Sequence, residues 1–171
     1  MVCLFAAILY TACGNDTDPE ESSQFFIKNA QLAFEIVNFE GIGDYQKPKI
    51  ESGDHLVFVY QENASTSLNA SGVLSMKGES VIPDNVIIIE VPAMAPETYT
   101  LNLSGLSVNE RDDIAIYRGV FDGVYIENLS FQATRIDAST WSVSLTAELS
   151  DQGNAFISIE DTGIYRKVEK D

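Results

Sequence analysis

The chain has 171 residues, 45% of them hydrophobic and 10% aromatic, a composition that excludes the disordered class and fits one globular domain. Its 26 acidic residues outweigh 10 basic ones, for a net charge of −16. The six lysines and four arginines are scattered along the chain, so nucleic acid is excluded as an expected partner.

Val2 to Ala12 is uncharged and almost wholly apolar, which suits the core of an export signal and is too short to span about 30 Å of hydrocarbon as a helix. Gly14 to Ser23 is polar, acidic and turn-rich. Between them, Tyr10-Thr11-Ala12-Cys13 sets two small residues before a cysteine. This arrangement resembles the lipobox of bacterial lipoproteins, in which the cysteine becomes the first mature residue and is acylated. The acidic run that follows is similar to the export tag of Bacteroidota-type surface lipoproteins. The resemblance implies a signal peptide over residues 1–12, lipid attachment at Cys13, and contact with a membrane through that anchor. It places the protein on the bacterial outer membrane, surface-exposed or alternatively on the periplasmic face.

The competing reading makes 2–12 the first buried strand or helix of a soluble protein and Cys13 an ordinary thiol. Ten polar residues then separate the apolar run from anything in sequence on which to bury itself. If Cys3 leaves with the signal, Cys13 is the one remaining sulfur. No disulfide can then form, and a lipid thioether would occupy that sulfur.

Residues 13–23 read as a lipidated cysteine and acidic tether, whose ten residues after the cysteine reach at most about 33 to 36 Å. The folded domain is expected over 24–171. Strands are expected near 26–39, 55–62, 67–76, 85–91, 97–104, 113–121, 124–136, 140–149 and 155–168. Thr140 to Leu149 alternates without a break, with Trp141, Val143, Leu145, Ala147 and Leu149 on one face. Leu32, Phe34 and Ile36 mark an early strand, and Phe131 and Ala133 point inward from a later one. Leu56 to Tyr60 and Val86 to Ile89 are apolar at every position and short, so they read as central strands covered on both faces. Turns are expected at Ser52-Gly53-Asp54, Asp122-Gly123, Asp137-Ala138-Ser139 and Asp151 to Asn154.

About nine short strands with turns between them argue an all-β domain. Residues 83–103 resemble the strand, proline, Tyr-Thr strand sequence of immunoglobulin-like extracellular modules, which implies a single antiparallel β-sandwich. A lipocalin or calycin-like β-barrel remains open as the alternative, since the meander from Val124 to Val168 fits it equally.

Signals of catalysis are sparse. His55 is the one histidine, and its neighbour Asp54 would face the other way in a regular strand. No Gly-x-Ser-x-Gly elbow or phosphate-cradling glycine loop occurs. Glu110, Asp112 and Asp113 form an acidic cluster that is a weak candidate for Ca²⁺, without the spacing of a twelve-residue calcium loop. Tyr117, Tyr125 and Tyr165 are expected to be exposed and to offer stacking faces to a ligand, whereas Trp141 belongs to the core. The reading is a non-enzymatic binding, structural or adhesion module without cofactor or resident metal. Its alternatives are a glycan or small-apolar-ligand binder, another envelope protein as partner, and last a glycoside-directed hydrolase.

Overall fold

A computed structural model of the chain describes residues 23–39, 43–62, 66–68, 74–76, 85–92, 97–117, 124–151 and 156–168. Its strands are β1 (Ser23–Phe39), β2 (Gly43–Gln61), β3 (Thr66–Leu68), β4 (Leu74–Met76), β5 (Val86–Pro92), β6 (Thr98–Ser107), β7 (Ile114–Tyr117), β8 (Val124–Arg135), β9 (Thr140–Asp151) and β10 (Phe156–Val168). Among the described residues there is no α-helix, and the all-β expectation holds. The expected signal peptide, Cys13, the tether up to Ser22 and the Asp122-Gly123 turn lie outside the described residues.

Among the described residues the strands do not form two stacked sheets. Eight of them make one sheet in the order β6-β8-β9-β10-β1-β2-β5-β7, curled into a half-barrel, and β3 and β4 pair separately. All pairings are antiparallel except β1 with β10, so the sheet is mixed. The immunoglobulin-like sandwich is not confirmed. The likeness in residues 83–103 was local, whereas register is decided by the long hairpins β8-β9 and β9-β10, which keep neighbouring strands in one continuous sheet.

Alternation along each strand explains the curl. Phe26, Phe58, Phe131, Trp141, Val143, Leu145 and Tyr165 all turn to the concave face, where they are buried together. Phe58 stands at the centre of their rings, 5.6 Å from Phe26, 5.4 Å from Phe131, 5.5 Å from Trp141 and 6.1 Å from Tyr165. These separations are those of favourable aromatic pairs. The concave side is therefore filled by side chains.

The convex face is covered over β2, β5 and β7. Val57, Val59, Val86, Ile88 and Ala115 pack there with Ala30, Leu32 and Ile50 of the outer part of the β1-β2 hairpin. That part bends where the register slips at Lys28 to Gln31, with Asn29 at φ 57° and Ala30 pairing with both Ser52 and His55. Asparagine is among the few residues that adopt this left-handed backbone readily. The bent hairpin is held down by the Leu32 N–H, which donates to Glu90 Oε2 on β5. Ser52-Gly53-Asp54, expected as a turn between strands, is a bulge inside β2. Asp137-Ala138-Ser139 is a turn as expected, with the Asp137 carboxylate accepting from the Ser139 N–H at 2.7 Å and from its hydroxyl at 2.9 Å.

Candidate functional site

The end of the half-barrel where β1 begins has a polar rim above the aromatic floor. Gln24 shares the concave face with Phe26, and Asp161 shares it with Ile159 and Tyr165, by the period-two rule. Glu62 follows β2 two residues after Tyr60, and Asn85 precedes β5; the Glu62 N–H donates to the Asn85 carbonyl at 3.0 Å and closes this corner.

Hydrogen bonds fix most of these groups. Tyr165 donates its hydroxyl to Asp161 Oδ2 at 3.0 Å, and Gln24 Nε2 donates to Asp161 Oδ1. Gly163 makes the second contact possible, because a Cβ there would collide with Gln24 Oε1. Asn85 Nδ2 donates to Glu62 Oε2. At the rim, Asn85 Oδ1 is buried with no hydrogen bond. Tyr60 is 7% exposed, and its hydroxyl, without a hydrogen bond to a described residue, meets water. Buried polar atoms are ordinarily paired, so Asn85 Oδ1 is a place for a donor from outside.

The electrostatics agree. Burial pushes Tyr60 up to about 12, and the negative charges of Glu62 and Asp161 push the same way. Tyr165 is driven above the ordinary tyrosine range by burial and then by Asp161. Burial raises the Asp161 carboxyl above its usual value of 3.8, opposed by the hydrogen bond from Tyr165.

Two stability predictions follow from this rim. Tyr60→Phe removes a hydroxyl that makes no hydrogen bond, so its unfolding free energy should equal or exceed that of wild type; a loss above about 1 kcal/mol in urea unfolding contradicts the unpaired assignment. Between 3.8 and the raised value, folded Asp161 binds a proton that the unfolded chain has released, so stability falls as pH rises through that window. Asp161→Asn should therefore match wild type near the acid end of the window and exceed it at neutral pH. Because Asp161 keeps contact with water, screening holds the difference below about 1 kcal/mol. Thermal melts of both proteins from about pH 4 to about pH 7 measure it, and parallel curves would contradict the assignment.

The residues singled out from the sequence do not gather into one site. Tyr165 is 1% exposed and belongs to the ring cluster, which corrects its expected exposure. Tyr125 is 37% exposed on the other face of β8 from the buried Val124 and Ile126, and Tyr117 ends β7 opposite Val86. The acidic cluster is committed elsewhere. Glu110 Oε2 accepts from the Ser107 N–H at 2.9 Å, and Asp113 takes a two-pronged contact from Arg111 at 2.8 and 2.6 Å. Among the described residues no group of three or more such ligands could hold a metal ion.

His55 differs from expectation in its partners. The bulge in β2 sets its Nε2 3.6 Å from the exposed Asp54 Oδ1 instead of on the opposite face. Its Nδ1 touches Glu90 Oε1 without hydrogen-bond geometry.

Sequence reasoning overlooked the rim, although a signal was present: Gln24 and Asp161 are polar residues at positions whose period-two neighbours are core, as is Glu62 just past β2. No family model, curated protein or solved structure matches this chain.

Proposed function

We propose that the chain is an exported, lipid-anchored protein of the bacterial cell envelope, acylated at Cys13, that acts as a non-enzymatic binding module through the rim at the start of β1. The observation that carries the binding role is the buried Asn85 Oδ1 left without a hydrogen bond beside Glu62, at the rim of a concave face already filled by rings. A ligand would meet the rim and not a lumen, which favours this reading over a barrel-type carrier of apolar molecules. A three-tyrosine glycan platform has less support, because Tyr165 is buried.

The lipobox-like residues support the location. Since β1 starts at Ser23, the rim lies at the end of the domain that the tether joins, within about 36 Å of the anchor. Two or three acyl chains would make attachment nearly permanent, against a marginal hold for one. Labelling with a palmitate analogue tests the anchor. Wild type should carry the label and fractionate with membranes, and Cys13→Ala should lose both. Equal labelling of the two proteins would overturn it.

A further inference from the structure

We propose that two copies of this chain pair edge to edge through β6, antiparallel, as a two-fold dimer. β6 ends the eight-stranded sheet, hydrogen-bonded to β8 on one side, and among the described residues no strand or backbone hydrogen bond occupies its other side. Exposed strand edges are ordinarily kept apart by shortness, by charge or by proline. The opposite edge, β7, follows that rule, being four residues long and coming directly after Arg111-Asp112-Asp113. β6 does not. It runs for ten residues, Thr98 to Ser107, without a charged residue or a proline, in a chain of net charge −16.

The core points to the same edge. Leu129, Phe131 and Ala133 of β8 are fully buried, whereas their neighbours on β6, Leu103, Leu101 and Tyr99, are only partly covered at the margin of the ring cluster. A further strand beside β6 would cover them. β6 itself fits that place. Its regular part, Thr98 to Ser104, stops before Gly105, which has φ 67°, and is centred on Leu101. A two-fold axis at Leu101 sets Tyr99 against Leu103 of the second copy on the inner face and Thr100 against its Asn102 on the outer face, so every pair keeps its proper side. Like-charged copies can approach here, because the outer face beside β6 is neutral too, with Ser130, Gln132 and Thr134 on β8. Since β7 offers no comparable edge, assembly stops at two.

No residue of the rim takes part, so the dimer stands or falls apart from the binding role proposed above. Sedimentation equilibrium of the full chain tests it, under reducing conditions and with Cys13→Ala to exclude the lipid. The mass should rise from one chain to two between about 1 µM and about 1 mM, as suits an interface at the small end of the specific range. Thr100→Glu with Asn102→Glu sets like charges opposite each other twice across the axis and should weaken the dimer at least about tenfold. Ser144→Glu with Thr162→Glu adds the same charge at exposed positions of β9 and β10 and should change it by less than about twofold. Melting curves establish that both variants are folded. A synthetic peptide of residues 98–107 should compete with dimer formation, and the same peptide with its backbone nitrogens methylated should fail. A chain that stays monomeric to the highest concentration, or a dimer that the folded Thr100→Glu, Asn102→Glu variant leaves undiminished, overturns the proposal. A monomeric chain that nevertheless binds the peptide overturns the second copy as occupant and leaves the edge to a strand from another protein.

Discussion

Replacing Phe58 by alanine should lower the unfolding free energy by about 4 kcal/mol, a large share of the roughly 5 to 15 kcal/mol that holds a domain folded. Phe58 is 1% exposed, and its ring meets those of Phe26, Phe131, Trp141 and Tyr165 within 6.1 Å. Those rings come from β1, β8, β9 and β10, strands that the long hairpins fix in place. The space left by the phenyl group is therefore hard to collapse, and the cavity cost adds to the lost transfer energy. Phe34→Ala is the matched control, since that ring is 36% exposed on the bent hairpin and should cost no more than about 1 kcal/mol. Urea unfolding of both variants gives the comparison. Similar costs for the two would mean that no ring cluster organises the concave face.

Ile88→Ala should cost about 3 kcal/mol, although Ile88 faces away from that cluster. It is 1% exposed on the convex side of β5, packed with Val57 and Val59 and with Leu32 and Ile50 of the bent hairpin. On an uncovered sheet face the same change would cost well under 1 kcal/mol. Lower m-value together with lower stability would indicate that the hairpin has lifted and the native state has loosened, whereas loss of stability at constant m locates the effect in packing alone. A cost near zero would show the convex face to be open to water.

Much of this architecture was legible because strands announce themselves by periodicity. Trp141, Val143, Leu145, Ala147 and Leu149 are all buried as their alternation requires, and Leu56 to Tyr60 and Val86 to Ile89 are buried on both faces. Residues 43–54 were missed as a strand because Ser52-Gly53-Asp54 reads as a turn. Those residues bend a continuous strand instead of ending it. Exposure in β10 was misjudged for a related reason. Ile164 and Val168 are exposed while Asp161 shares the inner face with Tyr165, so apolar character alone assigns the faces of that strand wrongly. Sheet order was out of reach, since the parallel pairing of β1 with β10 joins the two ends of the domain and leaves no local mark in the sequence. The rim inherits that difficulty, because Gln24 meets Asp161 only through this pairing.

Rings fill the concave face, which leaves the rim as the proposed place of binding. Trp141 is the chain's one tryptophan, 4% exposed and 5.5 Å from Phe58, and its fluorescence reads that interior directly. Its emission should be blue-shifted, resistant to quenching by acrylamide, and unchanged when an apolar dye is added. Ready quenching, or energy transfer from Trp141 to a dye taken up beside it, would reveal an open lumen and contradict the account.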